Sequence, residues 1–519
     1  MPHGQHARKL ASLHSDCYVT ANGRWRNIAL SYYLGTHSTK LGIMFRGMTF
    51  TLFTWRLFVL FIFLQPYAVH ALIPIDCAEN VTRSDQVCCP RNPQNGLVCG
   101  GPRRGYCQRI HAPQENVPNV FWVDDRLAWP TRFVQYACQC QPRMFGVSCE
   151  QCWFGWTGSD CTRREKKIRR DIRTYSNKEL EVFKDVVARS WTWPSNFLIL
   201  DESKNQYSDP IQRPRFLRAS MQYYITFVHC YSARGTLYDT KEQCNEYSIL
   251  NFNHDGVTFP TWHRYNSLIW ERLLGEIAWQ VHRVKDFTIP YWDWVGLEKC
   301  DICTNQYLGA PGEVDKFGTR VHSRSPFHNL TDYCWELVPE AICSGCQKWG
   351  KAGKLTRRFH TELFPTQKDI EFALSLRNYF VLGERDSNTC RSFHMALEGF
   401  CGPPGTAPTG LWTHNKVHNM IQGSMQSTAT ATNDPLFILH HATVDKIFSM
   451  WYRRYSPSLT EYPNEGVRPG HKRDAFMIGF FPLVRNGEMF VDVTELGYDY
   501  DRPESVGNYA NNGEPPVFQ

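Results

Sequence analysis

Charge is scarce and evenly spread in this chain: 21% of its 519 residues are charged, and the net charge is only +7. A nucleic-acid footprint, which needs Lys and Arg gathered on one face, is therefore excluded. Long apolar runs are missing too. The run from Leu57 to Leu64 is far shorter than the roughly 20 residues a spanning helix needs, and the polar tail has none, so no transmembrane helix is expected in the mature chain. Repeated domains are also absent. What the chain has in quantity is aromatic side chains, 14% with 17 Trp, which suits a rigid core or a pocket for planar substrates. It also has 20 cysteines, ten of them between Cys77 and Cys161. That many thiols read as a disulfide framework made in an oxidising compartment, with structural zinc knuckles as the alternative.

Ahead of the cysteines lies a signal-like unit beginning at Met44 or Met48, with Arg46 and Arg56 as its basic part and cleavage expected after Ala71, two residues beyond Val69. Residues 1–43 have no hydrophobic periodicity and are expected to be an extension of the gene reading ahead of the true start. Cysteines Cys138, Cys140, Cys149, Cys152 and Cys161 have the spacing Cys-x-Cys-x8-Cys-x2-Cys-x8-Cys, with Gly146, Gly155 and Gly158 between them. This resembles a laminin-type EGF module, a unit with too little core to fold without disulfides. It is expected to serve as a structural cap, with partner binding as the other reading. The basic run Arg163 to Arg170 reads as a solvated boundary or a processing site. The sequons at Asn80 and Asn329 agree with a secretory route.

Beyond the boundary the pattern becomes helical, with helices expected over Asn177–Ser190, Pro214–Ala233 and Tyr265–Val281. Pro260 is placed just before the last of these, leaving His263 in its first turn. Asn305 to Leu382 reads as irregular, and Phe480–Arg485 and Met489–Val493 as strand and loop. Cys300-Asp-Ile-Cys303 reads as a structural disulfide rather than a redox or zinc pair. Asp434-Pro435 makes a good helix start, Asp capping and Pro first in the helix, for a segment running to about Tyr455.

The histidines carry the chemistry. His414 and His418 are four apart and share one helix face, and a third imidazole arrives from the Asp434 helix. There the chain offers both His440 and His441, which point about 100° apart and so do not both serve one ion. Upstream lie His229, His254 and His263. Two sets of neutral imidazoles, with no cysteine between Trp412 and Arg454, suit a binuclear copper or zinc centre built inside a helix bundle.

Taken in order, several motifs carry a family likeness: Asn-His-Asp at His254, Phe-Pro-Thr-Trp-His-Arg at His263, Ile-Pro-Tyr-Trp-Asp-Trp, Cys-Asp-Ile-Cys, Leu-Glu-Gly-Phe, His-Asn-x-x-His at His414, and Asn-Asp-Pro with His-His-Ala. The chain resembles the animal tyrosinases, type 3 copper proteins, from Cys77 to Tyr500, and the tyrosinases proper more than the tyrosinase-related proteins. The resemblance implies a mainly α fold, a type 3 copper four-helix-bundle catalytic domain over residues 166–504. It is preceded by the signal (44–71) and the disulfide-rich EGF-like domain (72–165), and followed by a polar tail (505–519). It implies two copper ions, the first on His229, His254 and His263, the second on His414, His418 and His441, with dioxygen as co-substrate. The expected partner is a small phenol, which is hydroxylated to an o-diphenol and oxidised to an o-quinone that feeds melanin. The expected setting is the secretory pathway, a melanosome-like lumen or the outside of the cell.

The family reading has Glu398 and Asn415 fix a water that takes the phenol proton, and Phe400 pack against a ligand imidazole. Asp445, one turn past His441, is a further supporting candidate. The alternatives are a zinc-binding tyrosinase-related protein acting on later pigment intermediates and a non-catalytic oxygen carrier. Leu411, Thr428 and Ala431 are the residues expected to shape the pocket. Phe252 stands where some type 3 copper proteins have the cysteine of a thioether bridge, so no such bridge is expected. Cys230, Cys244, Cys390 and Cys401 are extra cysteines with room for two added disulfides, and the 19 cysteines after Leu72 leave one over.

Overall fold

The computed structural model describes residues 72–78, 86–111, 126, 129–131, 134–200, 216–233, 251–315, 318–333, 353–359, 363–384, 390–406 and 411–507. All belong to one compact unit, Val69–Gln519. The signal and extension calls, the Asn80 sequon, Cys244 and Cys334, Cys343 and Cys346 lie outside the described residues.

Seven helices organise the described chain: α1 Asn177–Arg189, α2 Met221–Ala233, α3 Thr258–His282, α4 Gln367–Ser375, α5 Phe393–Glu398, α6 Thr413–Ile421 and α7 Leu436–Tyr455. Helix α1 starts on a capping box in which Ser176 and Glu179 satisfy each other's backbone amides. It buries one stripe, Leu180, Phe183, Val186 and Val187. Helices α2 and α7 are covered almost all round, as central helices are. Helix α7 begins as its sequence demands: Asp434 Oδ1 accepts from Leu436 N at 2.9 Å, behind Pro435.

Helices α3 and α7 are joined by buried charge. Asp445 on α7 accepts from Arg264 on α3 at 2.6 Å, from Arg169 at 3.3 Å, and from the hydroxyls of Tyr498 (2.6 Å) and Tyr500 (2.7 Å). Burial works against ionising this carboxyl, yet the two guanidiniums hold it below the usual carboxylate range. The strand Tyr498–Tyr500 reaches that position by pairing in parallel with Lys167–Arg169, so the two ends of the helical region meet.

The cysteine-rich segment is stapled by Cys77–Cys88, Cys89–Cys107, Cys99–Cys138, Cys140–Cys149 and Cys152–Cys161. Paired thiols are not thiolate ligands, so these ten do not form zinc knuckles. The segment lies on α3: Phe154 meets Tyr265 edge to face at 6.0 Å, and Arg272 stacks on Phe145 and Phe154 while donating to Cys152 O and Gln151 Oε1. Cys300–Cys303 is a disulfide as expected, and Cys390–Cys401 is one of the extra pairs.

The structure corrects four expectations. Phe216–Ser220 is strand, not the start of α2, because it pairs with Pro194–Leu200, which also takes Leu72–Pro74 on its other edge. Helix α3 begins at Thr258 rather than Tyr265, with Pro260 inside its first turn, where the missing N–H costs nothing. His263 accordingly sits in the second turn. The stretch 305–382 contains strands Pro311–Asp315 and Gly318–Val321 as well as α4. Residues 480–493 form bends and a short 3-10 helix, Asn486–Met489, with one isolated antiparallel bridge between Arg485 and Phe476, instead of strands. Among the described residues no helix is long and apolar enough to cross a membrane.

Candidate metal centre

Each histidine is carried by an element whose local sequence explains its position. His229 lies late in α2, and His263 in the second turn of α3. His254 stands in the turn between them, where Asn251 Oδ1 accepts the amides of Asn253 (3.3 Å) and His254 (3.0 Å). His414 and His418 share a face of α6, and His441 comes from α7. Five of the six are buried, and His418 is half-buried.

The hydrogen bonds fix the ring tautomers. His229 Nδ1 faces Thr428 O at 2.8 Å, His263 Nδ1 faces Phe259 O at 2.9 Å, and His418 Nδ1 faces Met425 O at 2.6 Å. His254 Nδ1 faces Asn253 Oδ1 at 2.8 Å, an orientation set because Asn253 Nδ2 donates to His229 O at 3.2 Å. His414 Nδ1 faces Asn415 Oδ1 at 3.0 Å and Glu398 O at 3.2 Å. Oxygens of this kind only accept, so Nδ1 carries the hydrogen and Nε2 is left with its lone pair.

Those lone pairs converge. Nε2 of His263 is 3.4 Å from Nε2 of His229, that of His414 is 3.3 Å from His441, and that of His418 is 3.0 Å from His414. In the His229–His263 and His414–His418 contacts, where both tautomers are fixed, two lone pairs face each other and do not hydrogen-bond. Their separations match the roughly 3.3 Å nitrogen spacing around a tetrahedral ion with metal–nitrogen bonds of about 2.0–2.1 Å. Burial also keeps the rings neutral: it pushes His229 down to about 3 and His418 to about 4, and His263, His414 and His441 well below the usual range. Two sets of neutral, oriented nitrogen donors fit copper or zinc.

Both members of the His440-His441 pair stand beside the second set. His440 stacks on His414 at 5.0 Å between centroids, within reach of the cluster, whereas His441 brings Nε2 to 3.3 Å of His414 Nε2. Glu398 bridges the two sets: its carbonyl accepts from His414, and its carboxylate accepts from Asp255 N at 2.6 Å, next to His254. Asn415 holds His414. Asp445 is bonded to arginines and tyrosines, and its part is to lock α3 to α7.

Phe400 is not against an imidazole. The left-handed cap at Gly399 turns the chain outward and leaves Phe400 37% exposed. The rings that pack on the histidines include Phe259, 4.6 Å from His414 and 4.8 Å from His263, Trp262, 4.9 Å from His263, and Phe437, 4.1 Å from His441. Phe437 precedes His441 by four on the same helix, a spacing that signals the contact in the sequence. Asn253 carries no such signal beyond its place before His254. Thr428, expected to shape the pocket, turns its carbonyl to His229 of the first set.

A family model described as the common central domain of tyrosinase matches residues 219–454, which include all six histidines. The tyrosinase of Gallus gallus is 32% identical over 473 residues, covering 87% of this chain and 85% of that protein. The 5,6-dihydroxyindole-2-carboxylic acid oxidase of Mus musculus is 30% identical over 456 residues, covering 84% and 83%. Among solved structures, a polyphenol oxidase from Thermothelomyces thermophila has a TM-score of 0.42 at 17% identity, over 64% of this chain and 88% of that one.

Proposed function

The chain belongs to the tyrosinase family, and from that premise we propose that it is a two-copper phenol oxidase. It hydroxylates monophenols to o-diphenols and oxidises these to o-quinones, the opening steps of melanin formation. The observation that carries this reading is the pair of converging Nε2 sets, in which five of the six rings have their Nδ1–H already engaged. His229, His254 and His263 would hold one copper ion, and His414, His418 and His441 the other. Bound there, the two ions supply electron exchange with dioxygen, chemistry that no side chain provides.

The protein's own work is to orient the donors, exclude water and take one proton. Phe259 and Phe437 fill the space around the rings, so a phenol enters an apolar, aromatic setting. Glu398 and Asn415 flank His414, and in this proposal they fix the water that accepts the phenol proton. Helices α2, α3, α6 and α7 form the type 3 copper four-helix bundle, and residues 138–161 an EGF-like cap. The five disulfides up to Cys161 support a secretory route, with a melanosome-like lumen or the cell exterior as the destination.

The test is metal analysis of protein produced in copper-supplied cells, followed by parallel assays on a monophenol and an o-diphenol. Two copper ions per chain and turnover of both substrates are expected. Zinc without copper, or copper with no turnover of either phenol, would overturn the assignment. Glu398→Gln and Asn415→Asp are expected to lower monophenol turnover at unchanged copper content; full retention in both would remove their proton role.

A further inference from the structure

The segment between α6 and α7 orients one imidazole of each set. Met425 O accepts from His418 Nδ1 at 2.6 Å, and three residues later Thr428 O accepts from His229 Nδ1 at 2.8 Å. Both ends of this short loop are fastened to a single carboxylate. Ser424 Oγ donates to Asp332 Oδ2 at 2.6 Å, and Asn433 Nδ2 donates to Asp332 Oδ1 at 2.8 Å. Inside the loop, Thr430 Oγ1 donates to Ser424 O at 2.7 Å, so the two fastened ends brace the middle. Asp332 stands on the strand Thr331–Asp332, which pairs with Gly353–Lys354, and Asn433 reinforces the attachment by donating to Tyr333 O at 2.7 Å.

We infer that Asp332 is a positioning residue for the metal centre: it clamps the 424–433 loop, whose carbonyls aim His229 and His418. The inference rests on the two-copper reading above, but none of its contacts is to a histidine. A hydroxyl and an amide bind an ionised carboxylate more strongly than a neutral carboxyl. The clamp is therefore tight when Asp332 is charged and slack when it is protonated. The charged groups around it are Asp434, which opposes ionisation and is itself paired with Arg357 at 2.7 and 2.8 Å, and Arg320, which favours it. Lys354, across the strand pair, spends its ammonium on Asn329 O. Burial pushes the Asp332 carboxyl up to about 7, which puts the change of state near neutrality.

The test uses the full chain loaded with copper and mixed with excess chelator, reading the rate of copper release at pH 6 and pH 8. Asp332→Asn should release copper at about the wild-type rate at pH 6 and roughly tenfold faster at pH 8, the lower end of what changes around metal ligands do. Ser424→Ala removes one fastening and keeps the carboxylate, and should speed release about threefold at pH 8 and less at pH 6. Equal variant-to-wild-type ratios at the two pH values, or unchanged release in both variants, would overturn the inference and leave the two-copper reading standing. Wild-type protein that takes up fewer than two copper ions per chain would overturn that reading and the inference with it.

Discussion

The two histidine sets arrive at similar geometry by different means. In the first, every Nδ1 has an oxygen to face: Thr428 O, Asn253 Oδ1 and Phe259 O. In the second, His414 and His418 are held likewise, but His441 Nδ1 has no acceptor among the described residues. His441 is gripped by rings instead, with Phe437 stacked at 4.1 Å and His263 at 4.4 Å. Hydrogen bonds fix direction and fail when one polar atom is removed; stacking fixes position and fails when volume is removed. The first set, with His414 and His418, should therefore be sensitive to polar substitutions, and His441 to changes in ring size.

The largest expected effect comes from removing a donor. His263→Ala and His441→Ala should each cost one copper ion per chain and lower phenol oxidation by more than the roughly 100-fold that substitutions around a metal site reach. His440→Ala should keep both ions; metal analysis showing the reverse for the 440 and 441 variants would reassign the third donor. Next is the tie that serves both sets. Asp445→Ala takes the carboxylate from the buried Arg264, while Arg169 keeps its pair with Glu271, and should cost about 3 kcal/mol in denaturant unfolding of the metal-free protein.

A smaller change separates the sets. Asn253→Ala should weaken the first copper by about 10- to 100-fold and the second far less, read by competition with a chelator. Phe437→Leu should do the opposite, loosening the second more than the first. Acidity gives the smallest and most graded effect. Burial depresses His229 to about 3 and His418 to about 4 in the folded chain, so the unfolded chain binds more protons below about 6.5. Stability of the metal-free protein should hold above that pH and fall as pH drops toward 4 and then 3. Each buried imidazole adds at most about 1.4 kcal/mol per pH unit to that slope, and His229→Gln should make it shallower in acid unfolding curves.

How much of this was legible in the sequence followed from how local each cause is. The i, i+4 pair His414 and His418 and the Asp434-Pro435 helix start depend only on neighbours, and both stand where the pattern put them. The choice between His440 and His441 needed the family likeness, because periodicity separates the two without ranking them. Thr428 and Met425 act through carbonyls, which every residue has, so no residue type betrays them. Arg264 and Asp445 are 181 positions apart, and no spacing rule reaches that far. The strand at Phe216–Ser220 was missed for a related reason: its partner Pro194–Leu200 imposes a state that its helix-compatible composition does not announce.

Glu398 has a consequence for how the centre fills. With its carbonyl on His414 and its carboxylate on the amide beside His254, it belongs to both sets at once. An ion that settles His414 also settles the turn bearing His254, and by reciprocity the help is mutual. Filling is then mutually assisted: in a copper titration followed by native mass spectrometry, singly loaded chains should be fewer than independent filling of two sites gives.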